Sequence, residues 1–138
     1  MIDFNFETDF ELKNPIKLQK WISETIISEG YELGELLYIF CDDEYLHKLN
    51  IEYLNHDTLT DVISFDYNIG KIINGEIYIS VERVAENAID FKTDFENELH
   101  RVMIHGVLHL CGYKDKSDTE ERIMRQKEEE CLRRLSIS

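Results

Sequence analysis

The sequence predicts an α+β fold, a small mixed β-sheet of about four strands with helices packed on it. Three observations predict it. Four segments read as strands, by alternation or by short apolar runs (2–8, 35–41, 61–67 and 76–81). Stretches of helical periodicity separate the first three strands and follow the last. Gly30 and Gly112, with Asp42, Asp43 and Ser117, stand where helix ends and caps are needed. The order is βαβαββααα. Early alternation of strand and helix demands crossovers and parallel pairing, whereas the two consecutive strands can form an antiparallel edge.

Residues 2–8 alternate apolar and polar side chains, as a half-buried strand does. Asn14-Pro15 opens a helix whose first turn tolerates proline. It runs to about Ser28, with Ile16, Trp21, Ile22 and Ile26 as apolar positions, and Gly30 ends it. Residues 35–41 (ELLYIFC) form a buried strand. Asp42 or Asp43 then caps a helix carrying Tyr45, Leu46, Leu49 and Tyr53. After a polar loop come strands at 61–67 and 76–81. A helix over 81–91 precedes a more strongly patterned one over 94–111, which carries Phe95, Leu99, Val102, Met103 and Leu110. The last helix starts at Ser117, with Glu120 three residues on as a capping box, and reaches about Leu135.

The 138 residues hold one proline and no Gly/Ser-rich linker, so residues 1–138 read as a single domain large enough to bury its own core. No apolar run is long enough to span a bilayer. Acidic residues occupy the N-terminal stretch where a signal peptide carries basic ones, and Cys41, Cys111 and Cys131 form neither a CxxC pattern nor an even set. The expectation is a cytoplasmic protein with reduced thiols and no membrane partner. Twenty-nine acidic and 15 basic residues leave a formal net charge of −14. That argues against broad, non-specific nucleic-acid binding, DNA included, which rests on many phosphate contacts. It leaves room for a local basic patch or for a contact centred on a metal.

The chemistry is concentrated in His105-Gly106-Val107-Leu108-His109-Leu110-Cys111-Gly112-Tyr113-Lys114-Asp115. His105 and His109 are four residues apart on a predicted helix, hence on one face and one turn apart, where two imidazoles can reach one cation. Gly112 releases the chain so that Asp115 can add an oxygen. Three protein ligands with one open position make a catalytic zinc site, in which a bound water becomes acidic enough to attack near neutral pH. Nickel, cobalt and iron also suit two histidines and a carboxylate. Gly106 stands where the zinc-peptidase HExxH motif has its glutamate base, which argues against peptidase chemistry. A small residue there also lets another element approach the helix. His100 falls off the metal face and is expected at the surface.

The eleven-residue stretch resembles the HGxLHLxGYDH signature of the YbeY family of rRNA maturation factors. Leu59–Phe65 (LTDVISF) is similar to the family's PT(D/N)VLSF strand, Gly75–Ser80 to its GDI-type strand, and Met124 with Glu128 to a downstream pattern. The resemblance covers roughly residues 36–130. It implies a single-strand-specific, metal-dependent endoribonuclease with one zinc ion per chain. Its partners would be rRNA and the ribosomal small subunit or its proteins, in rRNA maturation and ribosome quality control. The signature's third histidine is replaced by Asp115, a carboxylate that zinc accepts, and Lys114 stands where the family usually has Asp. The resemblance also implies an arginine in the segment 50–55 that helps engage RNA; this chain has Leu54 there. His56 and Lys114 are the expected substrate contacts, with Lys116, Arg101 and Arg83 as further cations. Thr60, Asp61 and Ser64 are expected to border the cleft and to orient substrate or water. No side chain declares itself the general base. Three other readings stay open: a ribosome assembly factor with a mainly structural metal, a metallohydrolase of a substrate other than nucleic acid, and a plain binding module with no metal.

Overall fold

The computed structural model describes residues 1–137; Ser138, the last residue of the predicted domain, lies outside the described residues. The elements follow the predicted order: β1 (Ile2–Phe6), α1 (Pro15–Ser28), β2 (Glu32–Cys41), α2 (Asp43–Leu54), β3 (Val62–Asp66), β4 (Ile72–Ser80), α3 (Val81–Asp90), α4 (Phe95–Leu110) and α5 (Asp118–Ser136). The sheet order is β1-β2-β4-β3. β1 with β2 and β2 with β4 are parallel, and β3 lies antiparallel to β4 at the edge. Helical crossovers force the parallel pairs, and the short connection between β3 and β4 permits the antiparallel one.

β2 and β4 are both longer than the apolar patterns indicate. Gly34, Asn74 and Gly75 interrupt those patterns, yet they lie inside strands. A Cβ at Gly34 would sit 2.8 Å from the Ile73 carbonyl oxygen, so only glycine admits this approach. The register shifts between Leu33 and Leu36 at the same place. A glycine inside a strand commonly marks such an irregularity.

Asp42 caps α2 by accepting from the Tyr45 N–H, and Ser117 with Glu120 completes the capping box of α5. Gly30 and Gly112 adopt positive φ, 85° and 98°, just beyond the ends of α1 and α4. In α1 the buried face is Leu18, Trp21, Ile22, Thr25 and Ile26, at helical spacing. Ile16, expected on that face, is 80% exposed because it lies in the first turn, off the stripe.

α4 is the centre of the fold. Leu99, Val102, Met103, Ile104, Val107 and Leu108 are buried against the sheet and the neighbouring helices. Each such side chain contributes about 1.5–3 kcal/mol by leaving water. At Gly106 the helix lies almost on the sheet. A Cβ there would come within 2.9 Å of Ile77 Cγ2 and 3.2 Å of Ser64 Oγ. His100 is not a free surface residue: its ring meets Trp21 edge-on at 6.2 Å between centroids, and burial lowers its pKa. The three cysteines are buried, and burial pushes the Cys41 and Cys111 thiols up to about 12, so none is poised as a thiolate. Among the described residues no helix is long and apolar enough to cross a membrane.

Candidate metal centre

His105 and His109 project from the one side of α4 that the core does not cover, and both are half-buried. Their rings meet edge to face, with centroids 4.6 Å apart. Gly112 turns the chain after α4, and Asp115 comes back over the histidines. Asp115 Oδ2 lies 3.3 Å from His105 Nε2 and 3.2 Å from His109 Nε2. All three ligand atoms fall within 4.8 Å of one another. Tetrahedral zinc, with ligands at about 2.0–2.1 Å, places its ligand atoms about 3.3–3.4 Å apart, so the donor set fits such an ion.

Each imidazole also has an acceptor at Nδ1, the side away from Asp115. His109 Nδ1 lies 2.9 Å from the Tyr113 carbonyl oxygen, which can only accept. A proton on Nδ1, donated to that carbonyl, leaves Nε2, the nitrogen beside Asp115, to bind a metal. His105 Nδ1 lies 2.6 Å from Glu128 Oε2 on α5. A carboxylate or carbonyl behind a ligating histidine fixes its orientation and raises its basicity. Arg101 in turn holds Glu128 at 3.1 Å and bonds Glu98 through two guanidinium nitrogens. Glu98 and Glu128 are each only 2% exposed. Burial pushes the Glu128 carboxyl up, but His105 and Arg101 outweigh it and bring it below its ordinary range.

Two open cavities meet at this cluster, and His105 and Asp115 line both. The β3-side cavity, about 460 Å³, is also bordered by Leu54, Thr60, Asp61, Ser64, His109 and Lys116. Ser64 points toward α4, as its closeness to Gly106 shows. Asp61 accepts a hydrogen bond from Asn87 Nδ2 at 3.3 Å, and burial raises its pKa despite the nearby Arg101 guanidinium. The cavity on the α5 side is about 720 Å³ and is lined by Arg101, Arg122, Arg125 and Glu128 among others.

The sequence-predicted residues divide accordingly. His105, His109 and Asp115 converge, and Thr60, Asp61, Ser64 and Leu54 border the same cleft. Lys116 reaches it; Lys114 and His56 are exposed and line neither cavity. Arg83 is not a free phosphate contact, because it is paired with Asp43 at 2.7 Å, away from the centre. Arg101 is bound to two buried carboxylates and serves the site from behind. Sequence reasoning noticed Glu128 only as part of a pattern on α5 and did not see that it orients His105. The carboxylate and the histidine are 23 residues apart on different helices, so no local spacing signals the pair.

Comparison with known proteins agrees with this architecture. The chain is 28% identical to a Thermotoga maritima protein solved in solution. The match covers 98% of this chain and 89% of that one, with a TM-score of 0.68. A Flavobacterium psychrophilum protein named Endoribonuclease YbeY is 62% identical over 137 residues, covering 99% of this chain and 98% of that protein. The Flavobacterium johnsoniae protein of the same name is 61% identical over 130 residues, 94% of each chain. The sequence model of the family described as Endoribonuclease YbeY matches residues 4–136, and this chain belongs to the YbeY family.

Proposed function

We propose that this chain is a metal-dependent endoribonuclease that cuts single-stranded RNA in rRNA maturation, with one zinc ion held by His105, His109 and Asp115. The observation that carries the reading is the convergence of three ligand atoms, each histidine backed by an acceptor at Nδ1, at the meeting point of two open cavities. The 62% identity to a relative named Endoribonuclease YbeY supports the choice of substrate. When bound, the ion polarises a phosphoryl oxygen and acidifies water.

The chain's own residues supply the rest. Glu128 and the Tyr113 carbonyl hold the two imidazoles in place. Asp61, half-buried in the same cleft with its pKa raised by desolvation, is a carboxylate beside the centre that can accept a proton. Thr60 and Ser64 offer hydroxyl donors for a non-bridging phosphate oxygen, and Lys116 offers a charge at the rim.

The deciding experiment has two steps. Metal content is measured by mass spectrometry on the native chain and on His109→Ala, with about one zinc per chain expected in the first and none in the second. The zinc-loaded chain is then incubated with single-stranded and duplex oligoribonucleotides, with and without chelator. Cleavage of the single strand alone, abolished by the chelator, is the expected result. Zinc bound without any cleavage would overturn the nuclease reading. It would favour a ribosome assembly factor with a structural metal, the second reading, which the net charge of −14 supports.

A further inference from the structure

The two cavities that meet at His105 and Asp115 differ in the cations they present. The β3-side cavity presents Asp61 and Asp66, with Lys116 as its one lysine or arginine. The α5-side cavity presents three arginines among Asp115, Asp118, Glu121 and Glu128. Arg101 is committed to Glu98 and Glu128, but the other two are not committed in this way. Arg125 leaves 55% of its side chain exposed and, among the described residues, pairs with Glu128 Oε1 alone, at 3.6 Å, an oxygen that Arg101 already holds at 3.1 Å. Arg122 is exposed and forms no ion pair among the described residues. The two are three residues apart on α5, so their side chains start as neighbours on one helix face, about 5–6 Å apart.

A guanidinium matches a phosphate with two parallel hydrogen bonds, and phosphate contacts position a nucleic acid without reading its bases. Asp118 and Glu121 line the same cavity from the first turns of α5. They confine the attraction to phosphates held beside the arginines and predict few contacts instead of a long basic track, in keeping with the acidic chain as a whole. We infer that Arg122 and Arg125 form a phosphate subsite that grips the RNA strand on the α5 side of the bond to be cut. The strand would then cross His105 and Asp115 into the β3-side cavity. The inference rests on the endoribonuclease reading above.

The test is the salt dependence of binding of a short fluorescent single-stranded oligoribonucleotide to the zinc-loaded chain, read in the cold while a gel shows the strand intact. Each phosphate contact on a single strand contributes a slope of about 0.7 in log affinity against log salt. The double variant Arg122→Gln/Arg125→Gln should lower that slope by about 1.4, the value for two contacts, with zinc content unchanged. Arg122→Lys/Arg125→Lys, which keeps the charges, should retain most of it. Lys17→Gln/Lys20→Gln on α1 removes the same charge elsewhere and should leave the slope as in the native chain. If the two glutamine pairs behave alike while the native chain still cleaves RNA, the subsite is overturned and the endoribonuclease reading stands. If the native chain neither binds nor cleaves the strand, both fall.

Discussion

Glu128 Oε2 and His105 Nδ1 lie 2.6 Å apart, joining the last helix to the central one directly behind the candidate metal centre. The carboxylate is held from its other side by Arg101, so the imidazole rests on a buried charged framework. Glu128→Ala is therefore expected to weaken zinc retention by roughly 10–100-fold, measured by competition with a chromogenic chelator. Because Arg101 keeps Glu98 as a partner, the stability cost should be about 1–3 kcal/mol instead of the larger loss seen when a buried charge is stranded. Glu128→Gln, which preserves an acceptor oxygen, should lie between the variant and the native chain. Native-like zinc affinity in Glu128→Ala would show that the contact does not orient the ligand.

Asp115 touches both histidine Nε2 atoms at ligand spacing. Asp115→Ala should lower zinc affinity by more than the roughly 10–100-fold typical of losing an outer partner. Asp115→His should keep one zinc per chain, because an imidazole is an equally acceptable third ligand. Equilibrium dialysis separates these outcomes. Unchanged affinity in Asp115→Ala would reduce Asp115 to a turn residue.

Two aspartates should respond to pH in opposite directions. For Asp43, burial pushes the carboxyl up, but the Arg83 guanidinium and the Ser80 hydroxyl outweigh it and hold it below its ordinary value of 3.8. Its stabilisation is therefore complete above that value and disappears as pH falls through the folded-state value. Asp43→Asn should cost about 1–3 kcal/mol at pH 7 and progressively less in acid.

Asp61 has a raised pKa, first through burial, so its ionised form opposes folding above 3.8. Asp61→Asn should stabilise the metal-free chain at pH 7, with the gain vanishing as pH falls below 3.8, and should impair RNA cleavage. Urea denaturation across pH, with chelator present, reads both aspartate effects. A destabilised Asp61→Asn at pH 7 would mean that the carboxylate is a structural partner and not a strained functional one.

Gly106→Ala places a methyl group 2.9 Å from Ile77 Cγ2, where Ile77 is fully buried. Alanine gains about 1 kcal/mol of helix propensity over glycine. Overpacking in a filled core costs typically about 1–3 kcal/mol, so the net change should be destabilising. A lowered melting temperature checks this; an unchanged or raised one would show that α4 can lift off the sheet at little cost.

Much of this molecule was legible from the chain because the signals are local. Period-2 and helical patterns place every element in order, Ser117 with Glu120 marks the start of α5, and a four-residue spacing brings His105 and His109 together on one face. Gly112 and Asp115 are close enough in sequence that a turn returning to the histidines could be read as well. Tertiary structure alone decided the rest. The glycines and Asn74 that interrupt β2 and β4 make sense only when the two strands are seen to approach each other there. Arg101 reads as a free cation until Glu98 and Glu128 are seen around it. Glu128 reads as one more acid in a charged helix until α5 packs against α4. Arg122 and Arg125 read as part of a solvated face until that same packing brings them to the rim of the cleft. The physical reason is the range of the interaction. Backbone periodicity and capping act over a few residues, whereas Arg101 and His105 meet Glu128 from another helix and across more than twenty residues, and nothing near either partner in sequence records those pairings.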